Sequence, residues 1–376
     1  MRCCCHTSPA KVAEGRCPSD SPEYFSKAEG QDVATKKRIN LALQGGGAHG
    51  AFTWGVLDRI LEDDEIEIAG ISGTSAGALN GAALKAGMIT GGREGARANL
   101  DWLWSQVTGQ QDARLVEWMQ GFDMGKMARA IEYSPAFAAL DMWSRVVSPY
   151  SYGLFYRNPL IPIVEKFDFS KVCADAGPDL FICATRVRTG KIQIFSGDDI
   201  STDAILASAC LPTVFQAVEI DDPQTGRREA YWDGGYTGNP ALFPLFARHL
   251  PADIVVININ PLERDSLPVT TQQIQNRINE ISFNSSLLRE LRAISFVQRL
   301  LDNGTLTAED KAPVLVHMIA DDGLMNDLSV ATKLVPSVYF INKLKAAGRA
   351  AADNFLAAHK TDLNMVSTVD LAGTYS

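Results

Sequence analysis

The chain has 376 residues, 46% of them hydrophobic and 21% charged, the apolar content of an ordinary globular protein, which excludes disordered and fibrous classes. Its 35 Lys and Arg against 44 Asp and Glu leave a net charge of −9, so nucleic acid is not an expected partner. No apolar run approaches the ~20 residues that a membrane-crossing helix needs, and the N-terminal stretch lacks the apolar core of a secretory signal, so the expected location is cytoplasmic, with peripheral contact at a membrane left open.

Residues 1–37 are rich in Ser, Pro, Lys, Glu and Gly and read as a disordered leader. Cys3, Cys4, Cys5 and Cys17 lie there, while Cys173, Cys183 and Cys210 are scattered through the body, so the seven cysteines form no disulfide framework and the leading cluster is given no function. Ile39, Leu41 and Leu43 read as a first strand that ends at Gly45-Gly46-Gly47. Trp54, Val56, Leu57, Ile60 and Leu61 recur at helical spacing up to the acidic stretch 62–65. Ile66 to Ile71 is a second strand, and the Ala-rich stretch 76–86 a buried helix. Residues 101–165 concentrate Trp102, Trp104, Trp118, Phe122, Trp143 and Phe155 with four methionines. They are expected to form a mobile helical cap that lines an acyl channel, against the plainer reading of a subdomain core. The βα rhythm resumes with strands at 180–186, 191–195, into Tyr231-Trp232, at 253–260 and at 314–319, and with helices near 202–209, 271–301 and 340–359. Such alternation implies an α/β protein whose mainly parallel sheet is covered on both faces. The expected organisation is one domain over 38–360 and a flexible tail at 361–376.

Gly45-Gly46-Gly47-Ala48-His49-Gly50 leaves a strand and opens a helix, which aims several backbone N–H groups at one point near the positive end of a helix dipole. The same letters satisfy G-x-G-x-x-G, so a dinucleotide-binding enzyme is one alternative. That fold needs a carboxylate closing the second strand, whereas here the acids at 63–65 precede it and the strand runs into Gly73-Thr74-Ser75-Ala76-Gly77. This second motif fits G-x-S-x-G, a strand-to-helix elbow that projects a serine, with Gly73 and Gly77 required because side chains there would clash as the backbone doubles back. A serine nucleophile needs a base. His6, His49, His249, His317 and His359 all sit in elements poorly placed to supply it. The remaining candidate is Asp233, which leaves a strand into Gly234 and Gly235, glycines that let another backbone approach it.

The three elements in this order, with Ala207-Ser208-Ala209-Cys210-Leu211-Pro212-Thr213-Val214-Phe215 before the Asp motif, resemble the patatin-like phospholipases over roughly residues 39–260. The resemblance implies a three-layer α/β/α fold and hydrolysis of lipid or phospholipid acyl esters without metal or cofactor. It casts Ser75 as nucleophile, Asp233 as base and the amides of Gly45, Gly46 and Gly47 as oxyanion donors. Many relatives carry Arg or Lys where this chain has His49. A non-catalytic lipid-binding relative is the other alternative, and homo-oligomerisation is left open.

Overall fold

Strand Lys37–Leu43 (β1) places Leu41 and Leu43 on one face and Ala42 on the other, all without measurable exposure, so both faces of the sheet must be covered. The computed structural model describes residues 36–109, 123–222, 226–264, 267–307, 313–328 and 330–375. The other strands are Ile66–Thr74 (β2), Asp179–Arg186 (β3), Ile192–Ser196 (β4), Val218–Asp222 (β5), Arg227–Asp233 (β6), Asp253–Ile257 (β7) and Leu315–Ile319 (β8). They form one sheet in the order β5-β6-β3-β2-β1-β7-β8, with β4 on the other edge of β3. The run β3-β2-β1-β7-β8 is parallel, and β4, β5 and β6 pair antiparallel. The mainly parallel sheet expected from the sequence is therefore present. Strand β5 is the strand that the sequence reading lacks, because its apolar alternation, Val218 and Ile220, spans too few residues to mark a strand.

Period-2 alternation divides the core into two layers. Leu41, Leu43, Val255 and Ile257 pack with helices Gly50–Ile60 (α1), Ala76–Thr108 (α2) and Val338–His359 (α8). Ala42, Ile254, Val256 and Val316 pack with Leu287, Leu291 and Ile294 of helix Thr271–Asp302 (α6). The result is a central sheet flanked by helices on both sides. Helices Met124–Glu132 (α3), Pro135–Val146 (α4), Thr202–Ser208 (α5) and Val330–Leu334 (α7) complete the set used below.

Helix α2 folds back on itself. Gly91 and Gly92 leave helical geometry, Gly92 at φ +62°, and the returning half packs so closely that a Cβ on Gly87 or Gly95 would stand 2.4 Å from the other's carbonyl oxygen. The return carries Trp104 against Trp54, rings stacked at 6.1 Å, where its indole N–H donates to Asn80 Oδ1. Trp102 meets Phe167 edge-on at 5.6 Å. These two tryptophans therefore pack in the main core and not in a separate subdomain. Met142 and Trp143 on α4 are instead more than half exposed, and the Trp143 indole N–H donates to the Tyr152 hydroxyl. Trp118, Met119 and Phe122, and the Phe155 side chain, lie outside the described residues.

The expected flexible tail needs correction over 361–375. Leu363 and Leu371 are buried, and Asn364 bonds both carboxylate oxygens of Asp253, through its backbone N–H at 2.7 Å and its Nδ2 at 2.8 Å. His317 approaches the same carboxylate at 3.0 Å and the Thr368 hydroxyl at 3.1 Å, tying the segment to the start of β7 and the middle of β8. The polar sequence there hides this docking because its anchors are single side chains rather than a periodic face.

Helices α1 and α8 cross at backbone contact. A Cβ on Gly348 would stand 2.1 Å from the Phe52 carbonyl oxygen, and one on Gly55 2.0 Å from that of Lys345. Gly348→Ala is accordingly expected to force the helices apart and lower stability by roughly 2 kcal/mol or more, despite alanine's better helix propensity. Chemical denaturation of the variant checks this; a stability equal to or above wild type would contradict the contact.

Candidate active site

Strand β2 ends at Thr74 and helix α2 begins at Ala76, so Ser75 must turn the chain within one residue. It does so at φ 54°, ψ −119°, a conformation that a residue with a Cβ adopts only under strain of order 1–3 kcal/mol. The flanking glycines are steric necessities: a Cβ on Gly73 would stand 2.5 Å from the Gly77 carbonyl oxygen, and one on Gly77 2.1 Å from that of Leu43. The Ser75 N–H donates to Ser208 Oγ at 2.9 Å, from the buried last residue of α5. The Thr74 hydroxyl donates to the Gly238 carbonyl at 2.7 Å, which ties the elbow to the loop after β6.

Sheet register brings Asp233 to this elbow. Strand β3 pairs with β2 up to Thr74 opposite Cys183, and the next residue, Ala184, pairs with Asp233 of β6 while Gln193 of β4 occupies its other edge. Asp233 thus takes over the edge of β3 where β2 lets go, at the point where Ser75 departs. Gly234 permits the handover, since a Cβ there would stand 2.2 Å from the Cys183 carbonyl oxygen.

The Asp233 side chain is buried, with 1% exposure. Its N–H donates to the Cys210 carbonyl at 2.8 Å, and Oδ1 accepts the Gly235 N–H at 2.8 Å. Oδ2 makes no hydrogen bond of ordinary geometry among the described residues. The Ser75 hydroxyl lies near enough to favour the carboxylate without completing that bond. Burial outweighs both this effect and the Gly235 N–H, and raises the carboxyl to about 7. The neighbouring Cys210 thiol is pushed up to about 12 by burial and by Asp233, and burial likewise raises Cys183, so neither supplies a thiolate.

The glycine turn packs directly on the elbow: a Cβ on Gly45 would meet Ser75 Cβ at 2.7 Å. Here the expected donor set needs correction. The Gly45 N–H already donates to Asn239 Oδ1 at 2.7 Å, fully buried, and is not available to an incoming oxyanion. The N–H groups of Gly46 and Gly47 have no acceptor among the described residues. Gly47 sits at φ +58°, and a Cβ on it would stand 2.5 Å from the Lys333 carbonyl oxygen. His49 is buried behind the turn with Nε2 2.8 Å from the Thr332 hydroxyl. Burial, and after it the charges of Lys333 and Arg264, hold its pKa well below the ordinary value, so the turn itself carries no charge.

The other described histidines are engaged elsewhere: His249 with Asp179 at 2.7 Å, His317 with Asp253 at 3.0 Å, His359 with Asp362 at 2.9 Å. His6 lies outside the described residues. The structure thus brings together Ser75, Asp233 and the glycine turn. Sequence reading missed Asn239 and Asn260, whose side chains bond the Gly45 N–H and the Gly45 carbonyl and which are single polar residues that no periodicity marks; Ser208 stood inside a quoted motif without a role. Among the described residues no group of three or more His, Cys, Asp or Glu is gathered as for a metal ion, and no helix is long and apolar enough to cross a membrane.

The model of the Patatin family, described as patatin-like phospholipase, matches residues 41–246. No curated protein matched the sequence. Among solved structures, the crystal structure of VipD from Legionella pneumophila is similar at 15% identity and a TM-score of 0.39, covering 86% of this chain and 67% of that one.

Burial of Asp233 has a thermodynamic signature. A carboxyl whose folded pKa is raised to about 7 stabilises the fold fully only below its unfolded pKa, and that stability is lost as pH rises toward 7. Asp233→Asn, which has no charge to desolvate, is therefore expected to gain a few kcal/mol over wild type between about pH 4 and 7 and to keep that advantage above it. Urea denaturation of both proteins across this range checks it; a stability difference that does not change with pH would contradict a desolvated carboxyl.

Proposed function

The chain belongs to the patatin-like phospholipase family, whose shared chemistry is lipid acyl hydrolysis, and from this premise we propose that it cleaves carboxylic esters of phospholipids or lysophospholipids through Ser75 and Asp233. The observation that carries the reading is a buried carboxylate with one free oxygen beside a serine held in a strained elbow. Asp233 Oδ2 draws the proton from the Ser75 hydroxyl as Oγ attacks the ester carbonyl carbon. The carbonyl electron pair moves onto oxygen, and the N–H groups of Gly46 and Gly47 receive the resulting oxyanion. Collapse expels the alcohol, which takes the proton from Asp233. Water then attacks the acyl-serine, giving a proton to Asp233; collapse breaks the bond between the acyl carbon and Ser75 Oγ, which takes that proton back, and a free fatty acid leaves. No step calls for a metal or cofactor.

Desolvation suits Asp233 to this task. An ordinary aspartate is too weak a base to deprotonate a serine, whereas one raised to about 7 is still about half ionised at neutral pH and is far more basic. A fluorophosphonate probe is expected to label wild type at Ser75 and to leave Ser75→Ala unlabelled. Ester turnover is expected to fall by roughly a thousandfold or more in Ser75→Ala and Asp233→Asn. Labelling elsewhere, or near wild-type turnover by Asp233→Asn, would overturn the dyad; a folded wild type without label or turnover would favour a non-catalytic lipid binder.

The base must be ionised in the free enzyme, so kcat/KM should rise with pH through a single ionisation at about 7 and level off above it. A profile measured on a soluble short-chain ester checks this. An acid limb near the ordinary aspartate range would contradict a desolvated base.

A further inference from the structure

Behind the glycine turn lies a charge that the hydrolytic steps leave unused. Lys333 is carried by α7, whose end is pressed against Gly47. Its Nζ donates to Asn260 Oδ1 at 3.0 Å. The other end of the same carboxamide, Asn260 Nδ2, donates to the Gly45 carbonyl at 2.8 Å and to Gln44 Oε1 at 3.1 Å. The Gly45 carbonyl is one half of a peptide unit whose other half is the Gly46 N–H. Ammonium, side-chain amide and backbone amide thus stand head to tail, every dipole pointing the same way, and the last free hydrogen in the row belongs to Gly46.

The ammonium is not cancelled by its counter-ion. Glu280 lies 3.6 Å from Lys333 Nζ, but the same carboxylate is held by Arg264 at 2.6 Å and approached by Arg277 at 3.4 Å. Glu280 is thus shared among three cations and neutralises Lys333 only in part. Inside a protein, where water does not screen, each link in such a row polarises the next.

Resting on the proposed reading of Ser75 and the glycine turn, we infer that Lys333 is a positioning residue for ester hydrolysis, its charge relayed through Asn260 and the Gly45–Gly46 peptide to strengthen the Gly46 N–H as an oxyanion donor. The relay acts when negative charge develops on the carbonyl oxygen, so it favours the transition state over the bound ester.

The test uses the full chain with a soluble short-chain ester. Lys333→Met is expected to lower kcat by about tenfold to a hundredfold with KM within about twofold of wild type. Asn260→Asp keeps an acceptor for Lys333 but removes the donor to Gly45, and is expected to lose activity to a similar degree; it decides the matter if Lys333→Met does not fold. A trifluoromethyl ketone, which adds to the serine hydroxyl and leaves an oxyanion, supplies a readout that a merely structural role would not move. Its affinity should fall in proportion to kcat/KM across wild type and both variants, with fluorescence-monitored unfolding confirming intact folds. Wild-type kcat in either folded variant, or a drop confined to KM with unchanged ketone affinity, would overturn the inference while leaving the dyad standing. A wild type that neither turns over ester nor takes the fluorophosphonate would overturn the dyad reading, and this inference with it.

Discussion

Everything at this site depends on three backbones meeting at closer range than side chains permit. The Leu43 carbonyl at the end of β1, the Gly77 Cα at the start of α2 and the Gly73 Cα at the end of β2 occupy space that a single methyl group would fill. Because they approach so closely, the turn after β1 lies against Ser75 rather than a side chain's width away. Unpaired N–H groups and the serine hydroxyl can then address the same carbonyl. The strain stored in the backbone of Ser75 follows from the same crowding. Packing of α1, α2, α6 and α8 on the two sheet faces supplies the stability that holds it.

Burial does the second half of the work, and it acts on charges in opposite directions. Asp233 loses water and is driven towards its neutral form, which makes its carboxylate a stronger base. His49 loses water and loses its proton, which empties the glycine turn of charge. Lys333 is also depressed by burial, but Glu280 and Asn260 give its ammonium partners. Positive charge thereby stands in a layer behind the turn and not in the turn itself.

How much of this could be read from the sequence divides along one line. Features that need a particular residue at a fixed local offset were visible: glycines two positions either side of Ser75, glycines after Asp233, the alternation of strands and helices. Features that depend on two segments meeting were not. Asn239 taking the Gly45 N–H out of the donor set joins residues nearly two hundred positions apart, and nothing around Asn239 announces it. The docked C-terminal segment was missed for the same reason, since its anchor on Asp253 is one asparagine. Strand β5 was too short to show its period. The aromatic-rich segment reads as uniform in one dimension, yet the fold back of α2 sends Trp104 into the core while α4 leaves Trp143 at the surface.

The handover on β3 has a bearing on how such proteins diversify. Thr74, the residue before Ser75, and Asp233 pair with consecutive positions along one edge of β3, so the separation of Ser75 and Asp233 is a property of the sheet's repeat and not of the long chain segment between them. That intervening segment, which includes α3, α4 and the residues up to β3, can lengthen, shorten or change its lining without altering the reacting geometry, provided that β3 returns in register. Changes confined to that segment would leave Ser75 and Asp233 side by side, so the segment and the Ser75–Asp233 pair can vary independently of each other.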